Sequence, residues 1–139
     1  MSEKIRLGII GVGNMGSAHG TNIVGGRCPD FELRAVADVN PARLEWAREH
    51  LGAVECFDNA IAMLDSGKID ACMVCVPHYD HAKYAMECMK RGIHVMVEKP
   101  AGVYTKQVRE MNAEADRHPD VVFGMMFNQR TNCVYRKMR

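Results

Sequence analysis

Six short runs of the chain are apolar almost without interruption: Ile5 to Ile10, Leu33 to Asp38, Val54 to Phe57, Ala71 to Val76, His94 to Glu98 and Val121 to Met126. Runs of this length and character predict strands covered on both faces, since a strand with one wet side would alternate polar and apolar residues. Between them the spacing becomes that of helices. Asn40-Pro41 predicts a capped helix start with proline at the first helical position, Leu44, Ala47 and Leu51 form its apolar stripe, and Gly52 ends it. Asp80 is expected to cap a helix striped by Ala82, Ala85, Met86 and Met89 and ended by Gly92. Thr105 is expected to cap another, with Val108, Met111 and Ala115 inside and His118-Pro119 as its stop.

Strand and helix alternating in this way predict an α/β fold. With right-handed crossovers, the best fit is a doubly wound parallel sheet, the Rossmann fold, of about six strands with helices on both faces. Ligands of such sheets gather outside the carboxyl ends of the strands. Residues 1–127 are read as this domain, and residues 128–139, N-Q-R-T-N-C-V-Y-R-K-M-R, as a basic tail with Arg130, Arg136, Lys137 and Arg139 and no acid.

Composition narrows the setting. The 139 residues are 47% hydrophobic and 25% charged, which suits one domain with a core. A net charge of +1 supplies no field that would draw the molecule to nucleic acid or an anionic membrane, so the expected partner is a small molecule. The apolar runs are too short to cross a bilayer, the start M-S-E-K-I-R lacks a signal peptide's apolar core, and a cytoplasmic protein is expected. Of the six cysteines, Cys72 and Cys75 make a C-x-x-C, but residues three apart in a strand point to opposite faces and could not share a metal. Small buried side chains in a reducing compartment is the expectation.

The first strand runs directly into G11-V-G-N-M-G16 and then a helical segment, which is G-x-G-x-x-G in its required context. Gly11 is expected to permit the tight turn, Gly13 to let the backbone approach a pyrophosphate, and Gly16 to let the helix pack closely. Asn14 and Met15, inside the turn, join the expected cofactor-binding set. Asp38 ends the second strand about 20 residues further on, where a carboxylate binds the ribose hydroxyls. Val39 and Asn40 follow it, not arginine, which favours NAD over NADP. Val76-Pro77-His78 and Glu98-Lys99-Pro100 end the fourth and fifth strands, across the switch point from the glycine turn and beside the nicotinamide half. A lysine amine serves as acid or base where burial or a nearby positive charge favours its neutral form, and Pro100 would hold this one in place, with a cis bond as one form of that restraint. His78, Asp80 and His81 are metal ligands by type, but nothing else in the chain completes a set, and no metal is expected.

In order and spacing, G-V-G-N-M-G, A-V-A-D, V-P-H-Y-D-H-A-K-Y-A, H-V-M-V-E-K-P and F-N-Q-R resemble the glucose-fructose oxidoreductase / inositol dehydrogenase (Gfo/Idh/MocA) family over nearly the whole chain. The resemblance implies an oxidoreductase that exchanges hydride between NAD or NADP and a CH–OH carbon of a sugar, cyclitol or related polyol. It implies Lys99 as the catalytic lysine, in contact with the reacting oxygen, and Glu98 as lining for the nicotinamide site. Arg43 is expected toward the adenosine end, His81 near the cofactor, and Asn128, in F-N-Q-R, within the cofactor-binding set. His19 matches a frequent family residue and receives no role. Family members continue into a second α/β domain that supplies substrate contacts and the usual oligomer interface, and the tail resembles its beginning. The chain is therefore expected to be the cofactor-binding half, inactive alone, with self-association through the cleft side and Val134, Tyr135 and Met138. A regulatory module that binds a dinucleotide without turnover is the alternative.

Overall fold

The computed structural model describes residues 3–138; Met1 and Ser2 at one end and the tail's Arg139 at the other lie outside the described residues. Six strands form one sheet: β1 (Ile5–Ile10), β2 (Phe31–Ala37), β3 (Glu55–Phe57), β4 (Ala71–Val74), β5 (His94–Glu98) and β6 (Phe123–Met126). Their order is β3-β2-β1-β4-β5-β6 and every neighbouring pair is parallel, so the expected doubly wound sheet is the observed one. The switch point lies between β1 and β4.

Helices cover both faces. On one, α1 (Asn14–Val24) and α2 (Pro41–His50) close a core of Leu7, Ile9, Leu33, Val36, Ile23, Leu44 and Ala47. On the other, α3 (Ala60–Asp65), α4 (His81–Met89) and α5 (Thr105–Arg117) close one of Ile10, Ala35, Val74, Val95, Val97, Met63, Ala85, Met89 and Met111. Met63, Met89 and Met111 are filler, as expected of these unbranched side chains. The β1–β2 register shifts between Leu7 and Gly8, which leaves Arg34 without a partner on β1. That extra residue turns Val36 to the same face as Leu33, although residues three apart in a regular strand face opposite ways.

β1 and β5 have the expected bounds, while β4 ends two residues early at Val74 and β6 begins at Phe123. Val122 still accepts the Val95 N–H at 2.9 Å, so pairing begins before the strand proper. Asn40 caps α2 by accepting from the Ala42 N–H at 3.0 Å, with Pro41 at the first position and Gly52 beyond the end at φ +73°. Two cap readings are corrected. Thr105 is the first residue of α5 and not its cap; Tyr104 holds that place in extended backbone, with no capping side chain. Asp80 stands before α4 but its side chain makes no cap bond, because a 3-10 turn over His78–Asp80 leads into the helix. The tail forms a 3-10 turn (Asn128–Arg130) and a short helix, α6 (Cys133–Lys137), capped by Asn132.

Candidate functional site

The turn after β1 is built by contacts that exclude side chains. Gly11 has φ +91°, and a Cβ there would lie 2.7 Å from the Cys75 carbonyl oxygen, so glycine lets the turn press against the chain leaving β4. A Cβ on Gly16 would stand 1.8 Å from the Gly11 oxygen and 3.3 Å from Ile9, which places the close packing of α1 mostly against the turn itself. Gly13 is different: a Cβ would meet nothing within 4 Å. It caps α1 with no side-chain bond to the N–H groups of the first turn, and the space beside its own Cα is open. An anion fits there, drawn by those donors and by the positive end of the helix dipole.

Asp38 is tied to this turn. One carboxylate oxygen accepts the Val12 N–H at 2.7 Å and the other accepts the Asn40 N–H at 2.9 Å. With Gly11, Val39, Val76, Pro77, Asp80 and Tyr84 it lines a cavity of about 180 Å³ at the carboxyl ends of β1, β2 and β4. The structure thus gathers Gly11, Asp38, Val76 and Pro77 and adds Asp80, read from sequence as a helix cap, and Tyr84, given no role there. Their spacing of four on a helix approach, one turn apart, was the available signal. A larger concavity, about 340 Å³, lies at the opposite end of the sheet between Arg6, Arg34, Glu55 and Lys68. Its cations already have carboxylate partners in Asp70, Glu32 and Glu55, so it is not the candidate site.

Lys99 follows β5 directly and is exposed. Its base is anchored: Glu98 is 5% exposed, accepts the Lys99 N–H at 3.2 Å, and accepts from His19 Nε2 at 2.6 Å. The His19 ring, given no role from sequence, thus joins α1 to the end of β5. The Lys99–Pro100 bond is cis. His81 is wholly buried, its Nδ1 2.6 Å from the Pro100 oxygen and its Nε2 2.9 Å from the Val76 oxygen. It stands near the site, as expected, but turns no surface toward the cleft. Asn14 and Met15 are exposed on the first turn of α1, His78 is exposed on the 3-10 turn, and Arg43 is half-buried on the first turn of α2. Asn128 is exposed on its own turn, where its carbonyl accepts from Thr131.

Cys72 and Cys75 belong to opposite faces, Cys72 in one core and Cys75 against the other. Burial, with Glu98's charge adding to it, pushes the Cys75 thiol up to about 12, and the Cys88 hydrogen bond and burial hold Cys72 well above the usual range. Neither is poised as a nucleophile or metal ligand. Among the described residues no group of three or more His, Cys, Asp or Glu is gathered to hold a metal ion, and no helix is long and apolar enough to cross a membrane.

A glycine turn with open donors, an acid closing the second strand, and a cavity at the switch point of a doubly wound parallel sheet define a nucleotide-binding Rossmann domain. The chain belongs to the Gfo/Idh/MocA family: residues 5–125 match its model, an oxidoreductase family with an NAD-binding Rossmann fold. The chain is 29% identical over 135 residues to myo-inositol 2-dehydrogenase of Thermotoga maritima, across 97% of its own length and 40% of that protein's. It is 33% identical over 110 residues to D-glucoside 3-dehydrogenase of Escherichia coli, across 79% of its length and 31% of that protein's. Scyllo-inositol dehydrogenase from Lactobacillus casei, solved with bound NAD(H) and scyllo-inositol, superimposes with a TM-score of 0.93 at 30% identity, over 98% of this chain and 40% of that one. The chain thus spans about 40% of the length of these inositol dehydrogenases.

Proposed function

We propose that this chain is the cofactor-binding part of an oxidoreductase that exchanges hydride between NAD and a CH–OH carbon of a sugar, cyclitol or related polyol. The observation that carries the reading is the position of Lys99. Its exposed amine follows β5, across the switch point from the Gly13 cradle, on a segment anchored by buried Glu98. The open first turn of α1 fits the pyrophosphate and the cavity beside Asp38 the adenosine ribose, with Val76 and Pro77 as its β4 wall on the side toward the nicotinamide half. Arg43, Asn14, Met15, His78 and Asn128 complete the proposed binding set at its margins. The nicotinamide ring supplies the hydride acceptor when bound. Lys99 then holds or takes the proton of the substrate hydroxyl as hydride leaves its carbon, and returns it in reduction. Glu98 fixes the backbone from which that amine projects.

Substrate recognition belongs, in this proposal, to chain beyond residues 1–127, for which residues 128–139 form the connection. The 139 residues alone bind cofactor without turning over polyols, and the exposed side chains of Val134, Tyr135 and Met138 favour self-association. Six unpaired cysteines favour a reducing, cytoplasmic setting. Calorimetric titration with NADH and NADPH tests the cofactor reading. NADH is expected to bind more tightly, since a 2′-phosphate would meet the Asp38 carboxylate, and tighter NADPH binding would refute the assignment.

A further inference from the structure

Glu98 closes β5 as a carboxylate only 5% exposed, and among the described residues two donors reach it. The Lys99 N–H group lies 3.2 Å from one oxygen, and His19 Nε2 lies 2.6 Å from the other. The bond to His19 is much the shorter. It needs no charge on the ring, since a neutral imidazole already has the one N–H that it uses. His19 stands on α1, one turn past Gly16, and among the described residues its ring makes no other hydrogen bond. Its polar engagement is Glu98. A carboxylate so enclosed that lost this donor would keep only the longer bond from its own neighbour, and would turn aside to find another.

The pair joins two parts of the site that lie 79 residues apart in the chain. α1 begins beside Gly13, where the phosphates rest in the function proposed above, and β5 ends against Lys99. We propose that His19 is a positioning residue: through the Glu98 carboxylate it sets the place of the Lys99 backbone relative to α1, and so of the acid/base amine relative to the cofactor. A displacement of about 1 Å at a reacting group can cost about 100-fold in rate, so one hydrogen bond at the root of that amine is enough to matter. The kinetic consequence rests on the role proposed for Lys99; the tie itself does not.

Two amides of different reach test both parts. The side-chain N–H of His19→Gln can stand where Nε2 stands, whereas that of His19→Asn is too short to reach Glu98. In the 139-residue chain, His19→Asn should make the Lys99 amide exchange its hydrogen about tenfold faster, the scale of one lost hydrogen bond, and His19→Gln should recover most of the protection. Unchanged exchange in His19→Asn, or equal loss in both variants, overturns the proposal whether or not the chain binds NAD. In a longer form that turns over, His19→Asn should lower kcat about tenfold while NADH affinity stays as it was, and His19→Gln should restore most of it. Combined with Lys99→Ala, His19→Asn should cost nothing further, because it acts through that lysine. A full additional loss would mean that the ring acts elsewhere, and would overturn the proposal. If Lys99→Ala alone leaves kcat unchanged, the acid/base reading fails, and the amide exchange still judges the tie. If His19→Asn does not fold, His19→Ala, which admits water beside Glu98, takes its place in both measurements.

Discussion

At the amino end of the sheet, charged side chains answer one another. Arg6 donates to Asp70 at 2.9 and 2.5 Å, Arg34 lies 3.3 Å from Glu32, and Lys68 pairs with Glu55. At the carboxyl end, side chains answer the backbone or each other deep in the fold. Asp38 holds the Val12 and Asn40 N–H groups, His81 faces two carbonyls, and His19 meets Glu98. What stands exposed at this end includes Lys99 and the first turn of α1. The first arrangement satisfies itself and leaves nothing for a ligand. The second, in the function proposed above, uses its buried polar groups to hold donors for a ligand. A site is thus marked here by charges held ready by other polar groups, and the wider concavity is not the better candidate.

The largest expected effect that separates the two ends is on turnover. In a longer form of the protein that includes the substrate-binding part, Lys99→Ala should lower kcat by about 100-fold or more, the usual scale of a general acid/base group. NADH affinity should stay nearly as it was. If kcat survives, Lys99 is a bystander and the carboxyl end binds without catalysing. Next comes Asp38→Ala, measured by calorimetry. Losing a charge-assisted ribose contact worth roughly 1.5–3 kcal/mol should weaken NADH by about one to two orders of magnitude and narrow its lead over NADPH. An undiminished lead would mean that Asp38 only braces the turn.

Two glycines sharpen the same contrast within one turn. Gly13→Ala should melt near the parent temperature, because the added Cβ meets nothing, yet lose about tenfold or more in NADH affinity by blocking close approach of the phosphates. Gly16→Ala should instead lower stability by about 1–3 kcal/mol, since its Cβ would overlap the Gly11 oxygen. Denaturant unfolding and NADH titration of both variants check this; matching losses of stability would dissolve the distinction.

The smallest effect belongs to the amino end. The Arg6 guanidinium holds the Asp70 carboxyl below its ordinary value of 3.8. A depressed carboxyl contributes stability above its unfolded value and loses it as pH falls through the folded one. Asp70→Asn should therefore flatten the acid side of the melting-temperature profile below about pH 4, shift neutral melting by a few degrees at most, and leave NADH affinity unchanged. A change in affinity would join the two ends after all.

Local features were legible in the sequence. Asn40-Pro41 states its own helix start, the glycine spacing states its turn, and β5 stops where Glu98 gives way to Lys99 and Pro100. The family and fold followed from such features. Features that depend on what lies opposite were not legible. Thr105 has a capping side chain, but the chain enters α5 one residue earlier through Tyr104. His19 and Glu98 are 79 residues apart, and only the superposition of α1 on the end of β5 brings them together. His81 was expected near the cofactor by resemblance alone, and its contacts with the Val76 and Pro100 carbonyls arise only where the chain beyond β4 and the chain beyond β5 meet. Arg34 reads as an ordinary strand residue, and the register shift it occupies is decided by β1.

β1 is the first strand in the chain and a central one in the sheet, hydrogen-bonded to β2 on one side and to β4 on the other. A growing chain can pair β1 with β2 once residue 37 has been made, but the second edge stays open until residue 74. During that interval a strand that is apolar but for Arg6 presents unpaired N–H and C=O groups, the kind of edge that seeds association between nascent chains. α1 and α2 can meanwhile cover one face of the pair, whereas the face that receives α3 and α4 waits for them. Synthesis speed between residues 38 and 71, and shielding of that edge as the chain emerges, therefore bear on yield in a way that the stability of the finished domain does not.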